Sequence, residues 1–434
     1  MTSVRFLGPD TDAYVASVER HASEFVERTG IELDVRIVPS DLYFSNRIEH
    51  LLDGDDAADV YMSGPVLLWE HLASGFVQPL DDLLERASDA YEAEDFVEPL
   101  LRCNRWSGRF GDPLGNGPLL EIPVNCESYN LAYVPDVLER AGVEPPRTWE
   151  EYFAAARQVV QRTGGTVRGF AQRGTGAWHT MYTGFATQFW SYGARDFVDG
   201  HCAIASPESV RATEDFLAGL RDAGPTAWPE QRWYELAIDF GNGRYGLIVD
   251  SDHYVAFFED PATSQLAGRI AYALPPVGPM GERRPNLWTW SVVLNTRARD
   301  RDAAWRFVEW ATGREFLHRS TYEGNMNPTR RSIWDDERFR AHTSSWGAFY
   351  DVARTLVEQE AEIVVTPAPN YLAVATRWVE ALLDAFAGRA PVDEALTAAA
   401  SDIDALGGSG RCFRRGFCAR ACPRASMRAA MVAS

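Results

Sequence analysis

The chain has 434 residues, 46% of them hydrophobic, which is enough for two domains with cores of their own. Its formal net charge of −20 argues against a nucleic-acid partner, because phosphate backbones are gripped by clustered positive charge. No apolar run approaches the roughly 18 residues that a membrane-spanning helix needs.

The N-terminal MTSVRFLGPD enters a strand at once and carries no basic stretch, apolar stretch or lipid-attachment cysteine of an export signal. Thr11 or Asp12 can cap a helix whose apolar face runs through Tyr14, Val18, Ala22, Phe25 and Val26 and which ends at Gly30. IELDVRIV alternates apolar and polar residues, the pattern of a half-buried strand. A second helix is predicted over residues 45–52. The acidic DGDDAAD (53–59) resembles a calcium loop only superficially. That loop requires Gly in its sixth place and Glu in its twelfth, where this chain has Ala58 and Gly64, so a solvated turn is expected. The strand DVYM follows, and Pro65 opens a helix that Gly75 closes.

The same grammar returns in the middle. TWEE at 148–151 forms a capping box for a helix ending near Gly164, and Ser206-Pro207 opens another with Val210, Thr213, Leu217 and Leu220 on one face. RWYELAIDF reads as helix and YGLIVD as strand, so the glycines of GNGRYG (241–246) follow a helix and precede a strand. A dinucleotide loop needs the opposite order, with phosphate at a helix N-terminus, and no cofactor is expected. DRDAAWRFVEWATG and residues 346–360 give two further helices. The alternation predicts an α/β protein of two lobes, each a mainly parallel sheet flanked by helices. From Gly407 the chain turns basic, with six Arg and no acid, and residues 407–434 are expected to be a disordered, cysteine-containing tail. The six cysteines form no CxxC or Cys/His set, so no metal site is expected.

Fourteen tryptophans are unusual, and Trp178, Trp190, Trp288 and Trp290 fall outside clear helical patterns. An indole offers a broad apolar face and one donor, which suits a sugar ring. Trp305, Trp310 and Trp378 sit in helical patterns and are expected in the core. Trp288 and Trp290 alternate, so in a strand they share one face with Thr289 opposite; that face lines a cleft or packs under a helix. Trp178 follows a glycine-rich loop and is the better ligand candidate, whereas Trp190 reads equally as core. Asp250 ends the strand YGLIVD, where open α/β sheets place ligands. Its carboxylate can accept two hydroxyl hydrogen bonds or serve as a cap. Asp252 and His253 read as surface or capping residues. Tyr43 follows the strand IELDVRIV and can stack on a ligand from the first lobe.

Five segments, in this order and spacing, carry a family resemblance: ADVYMSGPVLLWEHLASGFVQPLDDLL; EIPVNCESYNLAYVPDVLERAGVEPPRTWEEY; GNGRYGLIVDSDHYVAFFEDPA with its extension SQLAGRIAYALPPVGP; NLWTWSVVLNTRARDRDAAWRFVEWATG; and GNMNPTRRSIWDD. Together they resemble the family 1 extracellular solute-binding proteins of ABC sugar importers, over about residues 4–406. The W-x-W segment with the following AAW-x-F-x-x-W helix is closest to members that take polyols or small sugars. The resemblance implies a two-lobed, periplasmic-binding-protein-like (type II) fold. Chain crossovers would lie near 122–125, 273–276 and 324–328. One lobe would then comprise 4–122 with 276–324, the other 125–273 with 328–406. It further implies a monomeric, non-enzymatic receptor outside the cytoplasm that holds a sugar or polyol in the interlobe cleft and delivers it to the membrane subunits of an ABC transporter. Glu121 and Asn125 would bracket the first crossover at the cleft. Arg330, in the family's P-x-R-x-S segment, would reach the ligand or form a surface salt bridge. Two other readings stand beside this one: a glycoside hydrolase, which needs two carboxylates facing each other across the cleft, and a receptor for a solute other than a sugar.

Overall fold

The computed structural model describes residues 2–44, 48–174 and 178–407. The basic tail after Gly407, with its three cysteines, and the first residues of the helix expected over 45–52 lie outside them. The described residues form ten strands: β1 (Ser3–Pro9), β2 (Glu32–Val38), β3 (Val60–Ser63), β4 (Ile122–Tyr133), β5 (Arg168–Ala171), β6 (Phe197–Val198), β7 (His201–Cys202), β8 (Tyr245–Ser251), β9 (Ala271–Ala273) and β10 (Leu287–Leu294). Their order is β2-β1-β3-β10-β4-β8-β5, with β9 also on β4 and β6–β7 a separate small ribbon.

The parallel pairs anticipated from the strand–helix rhythm are β1–β2, β1–β3 and β5–β8. The strands between these groups run antiparallel to their neighbours. Of these, β4 sets the architecture. Its first part, through Ser128, pairs with β10, and from Tyr129 onward it pairs with β8 and β9. One continuous strand thus serves two halves of the sheet. Side chains at this change of partner lie between the halves, which is where a two-lobed protein can hold a ligand.

Local chemistry explains most boundaries. The helix expected after Asp12 is two helices, Ala13–Arg20 and Ala22–Thr29. They part at His21, whose ring is tied to Glu323 Oε1 at 2.8 Å, a tertiary contact that periodicity does not reveal. Asp12 is the N-cap: its Oδ1 accepts from the backbone N–H of Tyr14 (2.9 Å) and Val15 (3.1 Å). Gly30 closes the second helix at φ 69°. Thr148 and Glu151 form the reciprocal capping box of the helix Trp149–Arg162. The helix expected over 346–360 starts only at Phe349 and ends in a π turn, Leu356–Glu360. The carboxylates of the 53–59 turn meet arginines: Asp53 pairs with Arg297, Asp56 with Arg36 and Asp59 with Arg299. Trp305 and Trp378 are core residues as expected, and Trp310 is half-buried against Phe25 and Phe316. In GNGRYG the helix Trp233–Gly241 ends, Gly243 turns at φ 75° and β8 begins.

Candidate ligand-binding site

The site begins with strand alternation. Trp288 and Trp290 project from one face of β10, while Thr289 points away and donates to Asn104 Oδ1 at 3.0 Å. The Trp288 ring stacks on Trp178 (centroids 5.7 Å, planes 29° apart) and meets Tyr182 edge-on at 4.9 Å. Trp290 lies 5.3 Å from Trp288 and 5.5 Å from Phe44. Trp178 belongs to the segment after β5, yet its Nε1 donates to the carbonyl of Phe44 at 2.8 Å. That hydrogen bond joins an element beside β1–β3 to one beside β5. Gly64, just after β3, makes room for the cluster: a β-carbon there would sit 2.4 Å from Trp288 Cζ2.

Beside the rings stand the charged groups. Arg173 grips Asp250 at two points, Nε on Oδ2 at 3.0 Å and Nη2 on Oδ1, and its Nη2 also donates to the Tyr129 hydroxyl at 3.2 Å. The guanidinium lies over the Tyr254 ring at 5.6 Å. Burial pushes the Asp250 carboxyl up from its ordinary range, and Arg173 opposes that push. Asp250 therefore sits at the strand end as expected but does not offer a free carboxylate; the backbone N–H of Ser251 occupies it as well, at 2.7 Å. Among the described residues Arg173 Nη1 makes no hydrogen bond, so the donor available to a ligand comes from the arginine.

Asn125, Glu127 and Tyr129 alternate along β4 and share a face, with Glu127 opposite Trp288 and Asn125 opposite Trp290. Glu127 is half-buried, and its Oε1 accepts from Trp290 Nε1 at 2.7 Å. Asp12 lies within electrostatic range of Glu127 and His253, and burial raises its carboxyl. Buried polar atoms with no hydrogen-bond partner among the described residues gather near the rings: Trp288 Nε1, the Tyr182 and Tyr254 hydroxyls, and Ser63 Oγ beside Gly64. An unmade buried hydrogen bond costs about 1–3 kcal/mol, and a solute bearing several hydroxyls can supply the missing partners.

Of the nine residues singled out from sequence, the structure gathers Trp178, Trp288, Trp290 and Asp250. Asn125 lies on the Glu127 face of β4, opposite Trp290, and the remaining four lie elsewhere. Tyr43 is buried because the short helix Ser40–Phe44 turns it inward, where its hydroxyl donates to the Met62 carbonyl of β3. Trp190 packs against Phe189 and Trp378 in the core. Glu121 is enclosed just before β4, and burial lifts its carboxyl to about 8. Asn125 Oδ1 accepts from the backbone N–H of Asn327 at 3.2 Å, stitching two chain segments together. Arg330 is fully buried with its guanidinium 4.0 Å from the Phe96 ring; it donates to the carbonyls of Thr312 and Glu92. Its donors are spent on those carbonyls and on an ion pair with Asp95 (Nη1–Oδ2 3.5 Å), so the salt bridge is present but with the arginine enclosed rather than at the surface.

Asp252 also departs from the surface or capping role expected of it. It is buried and accepts from Ser128 N at 3.0 Å and Asn327 Nδ2 at 2.7 Å. It thus fastens β8 to β4 where β4 changes partners. Glu127, Arg173, Phe44 and the placement of Asp12 escaped the sequence reading. The alternation of Asn125, Glu127 and Tyr129 was the available signal for Glu127. Arg173 had none, because it follows the short strand β5 and precedes a glycine-containing stretch of sequence without periodicity.

Residues 8–316 match the family described as bacterial extracellular solute-binding protein. The chain is 29% identical over 385 residues to an erythritol/L-threitol-binding protein of Mycolicibacterium smegmatis, covering 86% of this chain and 80% of that one. Its fold is similar to that of an ABC transporter solute-binding protein from Agrobacterium radiobacter in complex with ribitol. The TM-score is 0.81 and the identity 20%, with 93% of this chain and 98% of that chain covered. A solute-binding protein from Agrobacterium vitis with bound D-mannitol gives a TM-score of 0.77 at 20% identity, covering 94% and 99% of the two chains.

Proposed function

The chain belongs to the bacterial extracellular solute-binding protein family, and from that premise we propose that it is a receptor for a sugar alcohol or small sugar, held between its lobes and delivered to the membrane subunits of an ABC transporter. The observation that carries this reading is the meeting, at one junction, of indole faces with unpartnered buried donors and acceptors: Trp178, Trp288 and Trp290 beside Trp288 Nε1, Tyr182 OH and Tyr254 OH. Aromatic faces cover the C–H surfaces of a polyol, and the polar atoms meet its hydroxyls. The relative that binds erythritol and threitol, and the neighbours holding ribitol and mannitol, point to the same solute class.

In this reading Trp178, Trp288, Trp290, Glu127, Arg173 and Asp12 contact the solute, and Asp250 positions Arg173. The lobes are residues 4–122 with 276–324 and 125–273 with 328–406, and the protein acts as a monomer outside the cytoplasm. A solute touching both lobes binds the closed arrangement more tightly and so populates it. In this reading the receptor carries out no reaction, and Asp250, held by Arg173, serves to position that arginine.

Calorimetry against erythritol, ribitol, D-mannitol, glucose and maltose tests the proposal. Saturable binding of a polyol or monosaccharide is expected. A folded protein that binds none of the five would overturn it, and release of phenol from aryl glycosides would favour the hydrolase.

A further inference from the structure

The charges around the rings do not cancel. Asp250 is neutralised by Arg173, but Glu127 stands beside the rings with Asp12 within electrostatic range of it, and, among the described residues, neither forms an ion pair with an arginine. One oxygen of each is used, Asp12 Oδ1 by the helix cap and Glu127 Oε1 by Trp290; the other oxygen of each makes no hydrogen bond among the described residues. Two histidines stand nearby: His253 is within electrostatic range of Asp12, its Nδ1 without a partner among the described residues, and His179 lies 4.9 Å from the Trp178 ring, where burial and then Arg173 lower its pKa to about 4. Among the described residues the site therefore carries an excess of negative charge in a half-buried setting, where Coulomb interactions are only partly screened.

A second observation points the same way. Trp178, Trp288, Trp290 and Phe44 form a continuous aromatic wall beside these carboxylates. Aromatic faces attract cations, tryptophan most strongly. The Trp290 N–H donates into the Glu127 carboxylate, which pushes electron density toward its ring. The Tyr254 hydroxyl, unpartnered on a residue only 4% exposed, lies within electrostatic range of both Glu127 and Asp250.

Building on the polyol reading above, we propose that the site takes a solute carrying a protonated amine, an amino polyol or amino sugar, in preference to the neutral parent, and rejects the corresponding acid. The ammonium group sits at the free oxygen of Glu127 and against the indole wall, in the field of Asp12, while the hydroxyls of the remaining chain meet Arg173 and the Tyr182 and Tyr254 hydroxyls.

The test is calorimetry with the full chain on two matched sets. One set is erythritol, 4-aminobutane-1,2,3-triol and erythronate; the other is D-sorbitol, D-glucamine and D-gluconate. An amine bound about five- to tenfold more tightly than its neutral parent is expected, because a hydrogen bond to a charged group outweighs a neutral one by roughly that margin, with no binding of the acid. That preference should shrink from 20 to 500 mM NaCl while neutral affinity stays constant. It should fall toward unity in Glu127→Gln. The salt series needs no variant, so it decides the matter even if Glu127→Gln folds poorly. Equal or weaker binding of the amine, with the neutral polyol bound, overturns this inference and leaves the polyol reading standing. Binding of the amine alone supports it and overturns the neutral-polyol reading. Binding of no compound in either set overturns both.

Discussion

Trp290 on β10 and Glu127 on β4 are joined by one hydrogen bond, indole Nε1 to carboxylate Oε1 at 2.7 Å, which fixes the ring and the charge together. Trp290→Phe keeps an aromatic face and removes the donor. Polyol affinity should fall about tenfold, the worth of a hydrogen bond to a charged group, as read by calorimetry. The melting temperature should move little, because Trp290 is only half-buried.

Arg173 and Asp250 form the site's buried ion pair, with side-chain exposures of 16% and 1%. Arg173→Met leaves the carboxylate uncompensated and should cost about 3–5 kcal/mol in chemical denaturation. Combining it with Asp250→Leu should restore much of that stability. Binding should stay absent in both variants, which separates the pair's effect on folding from its effect on recognition.

Gly64→Ala places a methyl group 2.4 Å from Trp288 Cζ2, a ring already packed on Trp178 and Tyr182. The overpacking should cost about 1–3 kcal/mol and weaken ligand binding severely. Adding Trp288→Leu should recover stability in a melt without recovering affinity.

Glu121 is a buried carboxyl lifted by desolvation to about 8 from its ordinary 4.5. The native state keeps this proton while the unfolded chain releases it, so this group makes stability fall as pH rises from 4.5 to 8 and level off above. Glu121→Gln has no proton to retain, and its melting temperature should decline less across that window. At pH 8 the variant should melt about 3–6 °C above the parent. Parallel melting curves for the two proteins over pH 5–8 would count against a protonated Glu121.

Patterns of period and capping made the elements legible. Asp12, Gly30, the Thr148–Glu151 box and the helix-to-strand turn at Gly243 follow from local chemistry, and so does the shared face of Trp288 and Trp290. Residues whose roles depend on distant partners were not legible. Arg330 is braced by Phe96 and Thr312, and Asp252 by Ser128 and Asn327, contacts spanning many residues of chain. Asp250 shows both sides: its position at a strand end could be read, but its occupation by Arg173 could not.

Of the stacked indoles, Trp288 belongs to β10 in one half of the sheet and Trp178 to the segment that follows β5 in the other. Two such chromophores at 5.7 Å couple their electronic transitions, and separation of the halves would uncouple them. The molecule thus carries an internal optical gauge of its own opening, readable in the near-ultraviolet circular dichroism of the unlabelled protein.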